Sequence, residues 1–195
     1  MKKSVLISVV VIVVATALLV AAAISMLSDD SSGNAEGPAA GQELPAQGSS
    51  TSKIAERPDC PAEGAGGVAL ECLGGARGAA QQDPEHISVV NVWAWWCAPC
   101  REELPFFDEF AQSHPEYTVV GVHADTNAGN GAAMLNELGI EMASYQDFDN
   151  SFAGTLGLPN VIPVTVVFRG NDQVGFFPTP FKSVEELEEA VAEVV

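Results

Sequence analysis

Residues 90–105 read Val90-Asn91-Val92-Trp93-Ala94-Trp95-Trp96-Cys97-Ala98-Pro99-Cys100-Arg101-Glu102-Glu103-Leu104-Pro105. The run from Ile87 to Trp93 that enters this segment is apolar and rich in β-branched residues, as expected of a strand buried on both faces. After Cys97, the residues Leu104, Phe106, Phe107, Phe110 and Ala111 recur at helical spacing until His114-Pro115 stops the pattern, with Glu102, Glu103, Asp108 and Glu109 between them. The spacing predicts a buried strand that passes straight into a long amphipathic helix, kinked at Pro105, with two cysteines at the junction.

That placement has a chemical consequence. The first turn of a helix offers unpaired backbone N–H groups and the positive end of the dipole, both of which stabilise an anion. A thiol there drops from ~8.5 toward ~7, so Cys97 is the expected nucleophile. Cys100, one turn deeper, is the expected resolving thiol, placed to attack a mixed disulfide at Cys97. A pair spaced C-x-x-C is also half of a zinc site, for which Cys60 and Cys72 are available as further ligands. The strand-to-helix context and the bulky Trp96 beside the thiol weigh toward redox exchange, with no metal and no cofactor expected.

Working outward, 68–73 is a candidate short strand, Thr118–Ala124 a second buried strand, 132–138 a helix ended by Gly139, 143–146 a short strand and 152–156 a further helical turn or two. Residues 164–168 and 174–177 flank Gly170-Asn171-Asp172 and form an expected hairpin, and Ser183 caps a last helix through Val195. This order of elements implies an α/β domain, with a central mixed sheet and helices on both faces.

The 195-residue chain is 47% hydrophobic, enough for one domain over 58–195. Its formal net charge is −18, with Glu185, Glu186, Glu188, Glu189 and Glu193 on the last helix. Nucleic acid is excluded as a partner, because phosphate binding needs the opposite sign. The acidity is otherwise a general solubility feature or a signal to partners.

Lys2 and Lys3 precede an apolar run over 5–27 interrupted only by Ser8, Thr16 and Ser25. At ~1.5 Å per residue such a run crosses a ~30 Å hydrocarbon core. It reads as a single transmembrane anchor over 1–27, and the lysines before it, with Asp29 and Asp30 after it, put the rest of the chain on the extracytoplasmic side of the cell membrane. A cleaved signal peptide ending at Ala21-x-Ala23 is the alternative, and delivers a secreted domain to the same side. Residues 28–57, rich in Gly, Ser, Ala, Gln and Pro without apolar periodicity, read as a flexible linker. An oxidising compartment agrees with four cysteines that divide into two pairs, Cys97 with Cys100 and Cys60 with Cys72.

The quoted segment, together with the proline five residues after the second cysteine and the later Ile162-Pro163-Val164-Thr165, resembles the thioredoxin superfamily. More narrowly it is similar to membrane-anchored TlpA/ResA/CcmG-type thiol-disulfide oxidoreductases, over about residues 59 to 195. The resemblance implies a thioredoxin-like fold, a cis peptide before Pro163, and Ile162 as the backbone contact for an incoming peptide. It also implies that Glu103 lies near the thiols, where a carboxylate tunes or relays protons from Cys100; a merely solvated helix residue is the alternative. Asn91 stands where thioredoxin itself has a buried aspartate, a departure that the TlpA-like group shares. The extra helix-and-strand segment of the family has room in 125–160.

By the same resemblance, the protein reduces disulfides in clients such as apocytochrome c or a copper-site protein, and a transmembrane thiol carrier of the CcdA or DsbD kind re-reduces it. Pro99 before Cys100 and Ile162 before Pro163 lean toward reduction. A disulfide-forming oxidase of the same fold, and a copper or zinc chaperone, remain as rival readings. Cys60 and Cys72 enclose a Gly-rich stretch and are expected to form a structural disulfide, or else a second redox pair. His86, His114 and His123 have no ligand-like spacing and are given no role.

Overall fold

The computed structural model describes residues 54–78 and 83–195. The expected membrane span over 5–27 and nearly all of the expected linker lie outside the described residues. Among the described residues, no helix is long and apolar enough to cross a membrane.

Ten elements follow one another: β1 (Glu71–Cys72), β2 (Ile87–Trp93), α1 (Ala98–Ser113), β3 (Thr118–Ala124), α2 (Ala128–Leu138), β4 (Ser144–Asp147), α3 (Ser151–Leu156), β5 (Val164–Arg169), β6 (Asp172–Phe177) and α4 (Val184–Ala192). The strands form one six-stranded mixed sheet in the order β1-β4-β3-β2-β5-β6. β2 runs parallel to β3, and β3 to β4; β5 is antiparallel to β2, β6 to β5 and β1 to β4. β2 is therefore central, and its carboxyl end delivers the cysteine pair.

Alternation along the strands divides the core in two. Val89 and Trp93 of β2 face one side, where Leu104, Phe107 and Phe110 of α1, Leu135 of α2, and Leu187 and Val191 of α4 pack against the sheet. Val90 and Val92 face the other, with Phe152 of α3 and with Cys60, Ala65 and Leu70 from the segment before β1. Seven consecutive positions that are all apolar except Ser88 and Asn91 are the residue pattern this two-sided burial requires.

Several boundaries differ from the sequence expectation, each for a local reason. The first strand spans only Glu71–Cys72, because Ala65 and Val68 bridge each other in a tight turn and Gly74, at φ 76°, turns the chain away after Leu73. α2 starts at Ala128 rather than 132, since Asn127 caps it by accepting from the Asn130 N–H at 3.0 Å. Gly129 and Gly131 hide that start in the sequence by their low helix propensity. β6 begins at Asp172, paired with Arg169 across a Gly170-Asn171 turn. Gly170 sits at φ 57°, and a Cβ there would lie 2.5 Å from the Pro84 carbonyl oxygen, so no other residue fits that turn without strain. The last helix ends at Ala192.

Packing of the domain begins before Pro58. Arg57, which the sequence reading gives to the linker, is 8% exposed. It donates from Nη1 to Asn136 Oδ1 at 2.7 Å and from Nη2 to the Met142 carbonyl at 3.1 Å. Asp108 anchors the same corner by accepting from the Glu141 and Met142 N–H groups.

Candidate active site at the strand-to-helix junction

Trp93 closes β2 fully buried, with its indole N–H on Ser144 Oγ at 3.1 Å, and thereby fixes where the chain leaves the sheet. The next residues turn, with the Cys97 N–H on the Ala94 carbonyl, and Cys97 becomes the cap of α1. Its Sγ accepts from the Cys100 N–H at 3.3 Å, the helix-terminus contact that stabilises a sulfur anion. Pro99 falls in the first turn, where its missing N–H costs no intrahelical bond. The helix continues through Pro105.

Cys97 and Cys100 are joined as a disulfide, with their Cα atoms 5.3 Å apart. Cys97 is 5% exposed and Cys100 is fully enclosed, so of the two residues only Cys97 reaches the surface. Trp96 beside it is 58% exposed. The peptide bond between Ile162 and Pro163 is cis, as the resemblance implies, and Ile162 packs against both halves of the core just ahead of β5. Cys60 and Cys72 form the second disulfide and bond each other, leaving the Cys97–Cys100 pair to itself.

Glu103 is a fully buried carboxylate and not a solvated one, at 1% exposure. It accepts from Asn91 Nδ2 at 2.7 Å and from the Phe181 N–H at 3.0 Å. Burial pushes its pKa up to about 7, against the lowering effect of those two donors. Asn91, one strand position away from Val92 and on the α1 side of the sheet, is fully buried, and its Oδ1 has no partner. This carboxyl, brought near neutrality by burial, lies one turn beyond Cys100 on the same helix.

Sequence reasoning passed over Asp125, at the end of β3. Its Oδ1 accepts from the Trp95 indole at 3.1 Å and from the Asn127 N–H at 2.7 Å, and its Oδ2 accepts from the Trp96 indole at 2.9 Å. Burial alone would raise its pKa, but the Asn127, Trp96 and Trp95 donors outweigh this and hold it below the ordinary carboxylate range. One carboxylate thus pins both tryptophans that precede the reactive cysteine. His123 is drawn into the same corner: its Nδ1 lies 2.9 Å from Gln146 Oε1, its ring lies against Trp93, and Gln146 donates to the Asp125 carbonyl. Nothing in the sequence near either tryptophan marks Asp125, since the contact spans about thirty residues.

A CxxC disulfide at the carboxyl end of a central strand, capped onto a helix and accompanied by a cis proline, defines a thioredoxin-type redox site. Residues 79–142 match the thioredoxin family model. The chain is 45% identical over 60 residues to the probable thiol:disulfide interchange protein DsbE-2 of Pasteurella multocida (strain Pm70), covering 30% of this chain and 30% of that protein. It is 36% identical over 53 residues to the thiol:disulfide interchange protein CycY of Rhizobium leguminosarum bv. viciae, covering 27% of this chain and 28% of the other. The match thus spans about a third of the length of these curated relatives. Among solved structures, a secreted Mycobacterium tuberculosis disulfide oxidoreductase homologous to E. coli DsbE shares the fold, with a TM-score of 0.55 at 22% identity over 64% of this chain and 93% of that one. Over residues 79–142 the chain is thus similar to thioredoxin, and thiol:disulfide interchange proteins, DsbE-2 and CycY, are among its relatives.

Proposed function

We propose that the protein is an extracytoplasmic thiol-disulfide oxidoreductase that reduces disulfides of client proteins through Cys97 and Cys100. The observation that carries this reading is the asymmetry of the pair, a capped and slightly exposed Cys97 joined to an enclosed Cys100. In the reduced protein the Cys97 thiolate attacks one sulfur of a client disulfide. A mixed disulfide forms, and the client's other sulfur leaves as a thiolate that takes a proton. Cys100, after losing its proton, attacks Cys97 Sγ, and the client's second thiolate departs. Two electrons have passed to the client, and the protein is left with the Cys97–Cys100 disulfide. A thiol donor must then return two electrons; a transmembrane carrier of the CcdA or DsbD kind fits a domain tethered by the apolar run at 5–27 on the outer side of the cell membrane. Apocytochrome c and copper-site proteins are the client classes put forward.

Glu103 serves this cycle as a proton acceptor or donor for Cys100, a role its burial and near-neutral pKa favour. Ile162 offers its backbone to the client beside the cis Pro163. The reaction running in reverse, as a disulfide-forming oxidase, uses the same atoms and differs only in potential.

Replacement of Cys100 by Ser tests the reading. The variant is expected to accumulate covalent adducts with client proteins through Cys97 that reductant releases. Absence of any reducible adduct, while Cys97 remains open to alkylation, overturns client exchange. A redox titration of the wild-type pair against glutathione then gives the direction, a potential above the surrounding thiol pool marking an oxidant.

A further inference from the structure

A groove of about 540 Å³ is lined by Trp96, the residue that precedes Cys97, by Phe148, Val161 and Ile162, the residue before the cis Pro163, and by Asp125 and Asp149. Trp96, Phe148 and Val161 are 58%, 51% and 49% exposed. They are three of the six large apolar side chains that are exposed among the described residues. Such clustering in one concave place is the mark of a surface that another molecule covers.

The charge at this groove has one sign. Asp125, Asp147 and Asp149 line it, and no Lys, Arg or His does. All three carboxylates already accept from the chain: Asp125 from Trp95, Trp96 and Asn127; Asp147 from the N–H groups of Ser151 and Phe152 and the Ser151 hydroxyl; Asp149 from the Ser151 N–H. Those donors are neutral, so the negative charge at the groove is hydrogen-bonded but not cancelled. A cationic side chain complements it better than a neutral donor does, and an anionic one is repelled. Trp96 is pinned by Asp125, so the wall nearest Cys97 is held in place before any client arrives.

We propose that this groove is a client-docking site for an extended peptide segment with a large apolar side chain and a lysine or arginine close to its disulfide-bonded cysteine. The inference rests on the exchange reading above and adds to it the class of segment preferred. The apolar side chain covers Phe148 and Val161, and the cation lies at Asp149. Docking brings the client disulfide to Cys97, and the electrons flow as already described.

The test uses the full chain, reduced and held in non-ionic detergent, with synthetic peptides that each carry one cysteine as a mixed disulfide with 2-mercaptoethanol. Reduction of each peptide releases one peptide thiol and one 2-mercaptoethanol, while the protein pair becomes a disulfide. A Leu-Lys peptide is expected to exceed its Leu-Glu counterpart at least fivefold in kcat/KM at low salt, with the gap closing in about 0.5 M salt. Asp149→Lys is expected to abolish or invert that preference, and Phe148→Ser to remove the advantage of Leu over Ala. Both positions are exposed, so the fold tolerates the changes. Equal rates for cationic and anionic peptides, or a preference untouched by Asp149→Lys, overturn the docking inference while leaving exchange intact. If no peptide and no small disulfide such as hydroxyethyl disulfide is reduced, the exchange reading fails, and docking of clients fails with it.

Discussion

Asn91 donates from Nδ2 to Oε1 of Glu103 at 2.7 Å, joining the middle of the central strand to the first turns of the helix that carries the cysteines, and both side chains are enclosed. A buried carboxyl whose ionised form has lost its water is held there by two donors, and the balance leaves its pKa at about 7.

The pH dependence follows with a definite sign. The folded pKa is raised above the unfolded value of 4.5, so the stabilisation is complete below pH 4.5 and is lost as pH rises through about 7. A shift of this size corresponds to on the order of 3 kcal/mol. Glu103→Gln is expected to remove this loss, so that its stability relative to wild type rises between pH 5 and pH 8 in urea titrations. His123 is held neutral by burial, and its contribution runs the other way, being lost as pH falls below 6.5. The difference between the two proteins isolates the Glu103 part. An unchanged difference across that range contradicts the assignment. In turnover, a break near pH 7 in the wild-type rate is expected to vanish in the same variant.

Removing the carboxylate that pins the tryptophans is expected to act on client docking more than on chemistry. Asp125→Ala frees the Trp95 and Trp96 indoles, so KM for a peptide client is expected to rise several-fold, with a smaller change in kcat. Time-resolved fluorescence anisotropy of the tryptophans is expected to show faster motion. A fall in kcat alone, with anisotropy unchanged, argues against a positioning role.

The Cys60–Cys72 disulfide closes a loop of 12 residues in sequence, and Cys60 is 1% exposed. Loss of a bridge of that size costs about 3 kcal/mol. The double variant Cys60→Ala with Cys72→Ala is expected to unfold at correspondingly lower denaturant and to retain exchange at Cys97 while folded. Lost client reduction with stability unchanged instead identifies the pair as an electron relay.

Gly131 illustrates a substitution whose sign propensity gets wrong. Alanine in place of a helical glycine normally gains roughly 0.5–1 kcal/mol. Here a Cβ would lie 2.7–2.8 Å from the His123 ring, which is fully buried and bonded to Gln146. Gly131→Ala is therefore expected to destabilise by about 1–3 kcal/mol, the usual cost of overpacking. A stabilised variant in thermal unfolding shows that the ring gives way.

The order of elements, the burial of β2 and the capped cysteine pair were legible because each follows from short-range pattern: apolar runs set the strands, and the residues around Cys97 set the turn into α1. Cys60 with Cys72 was legible by pairing what remained. The helix start at Ala128 was not, because Gly129 and Gly131 lower local propensity, and the reason for Gly131, the His123 ring, lies on β3. Glu103 had an ambiguous reading, since a glutamate on an amphipathic helix looks the same buried or exposed until the partner surface is known.

What residue order determined by itself is thus the sheet-to-helix junction and the chemistry it confers on Cys97, through local backbone geometry and the helix terminus. Tertiary structure alone decided that Asn91 and Phe181 meet Glu103, that Asp125 grips Trp95 and Trp96, and that Phe148 and Val161 share a groove with Trp96. Those contacts join residues 12 to 78 positions apart. Their energies depend on desolvation and on which surfaces the sheet brings together, quantities that no local pattern encodes.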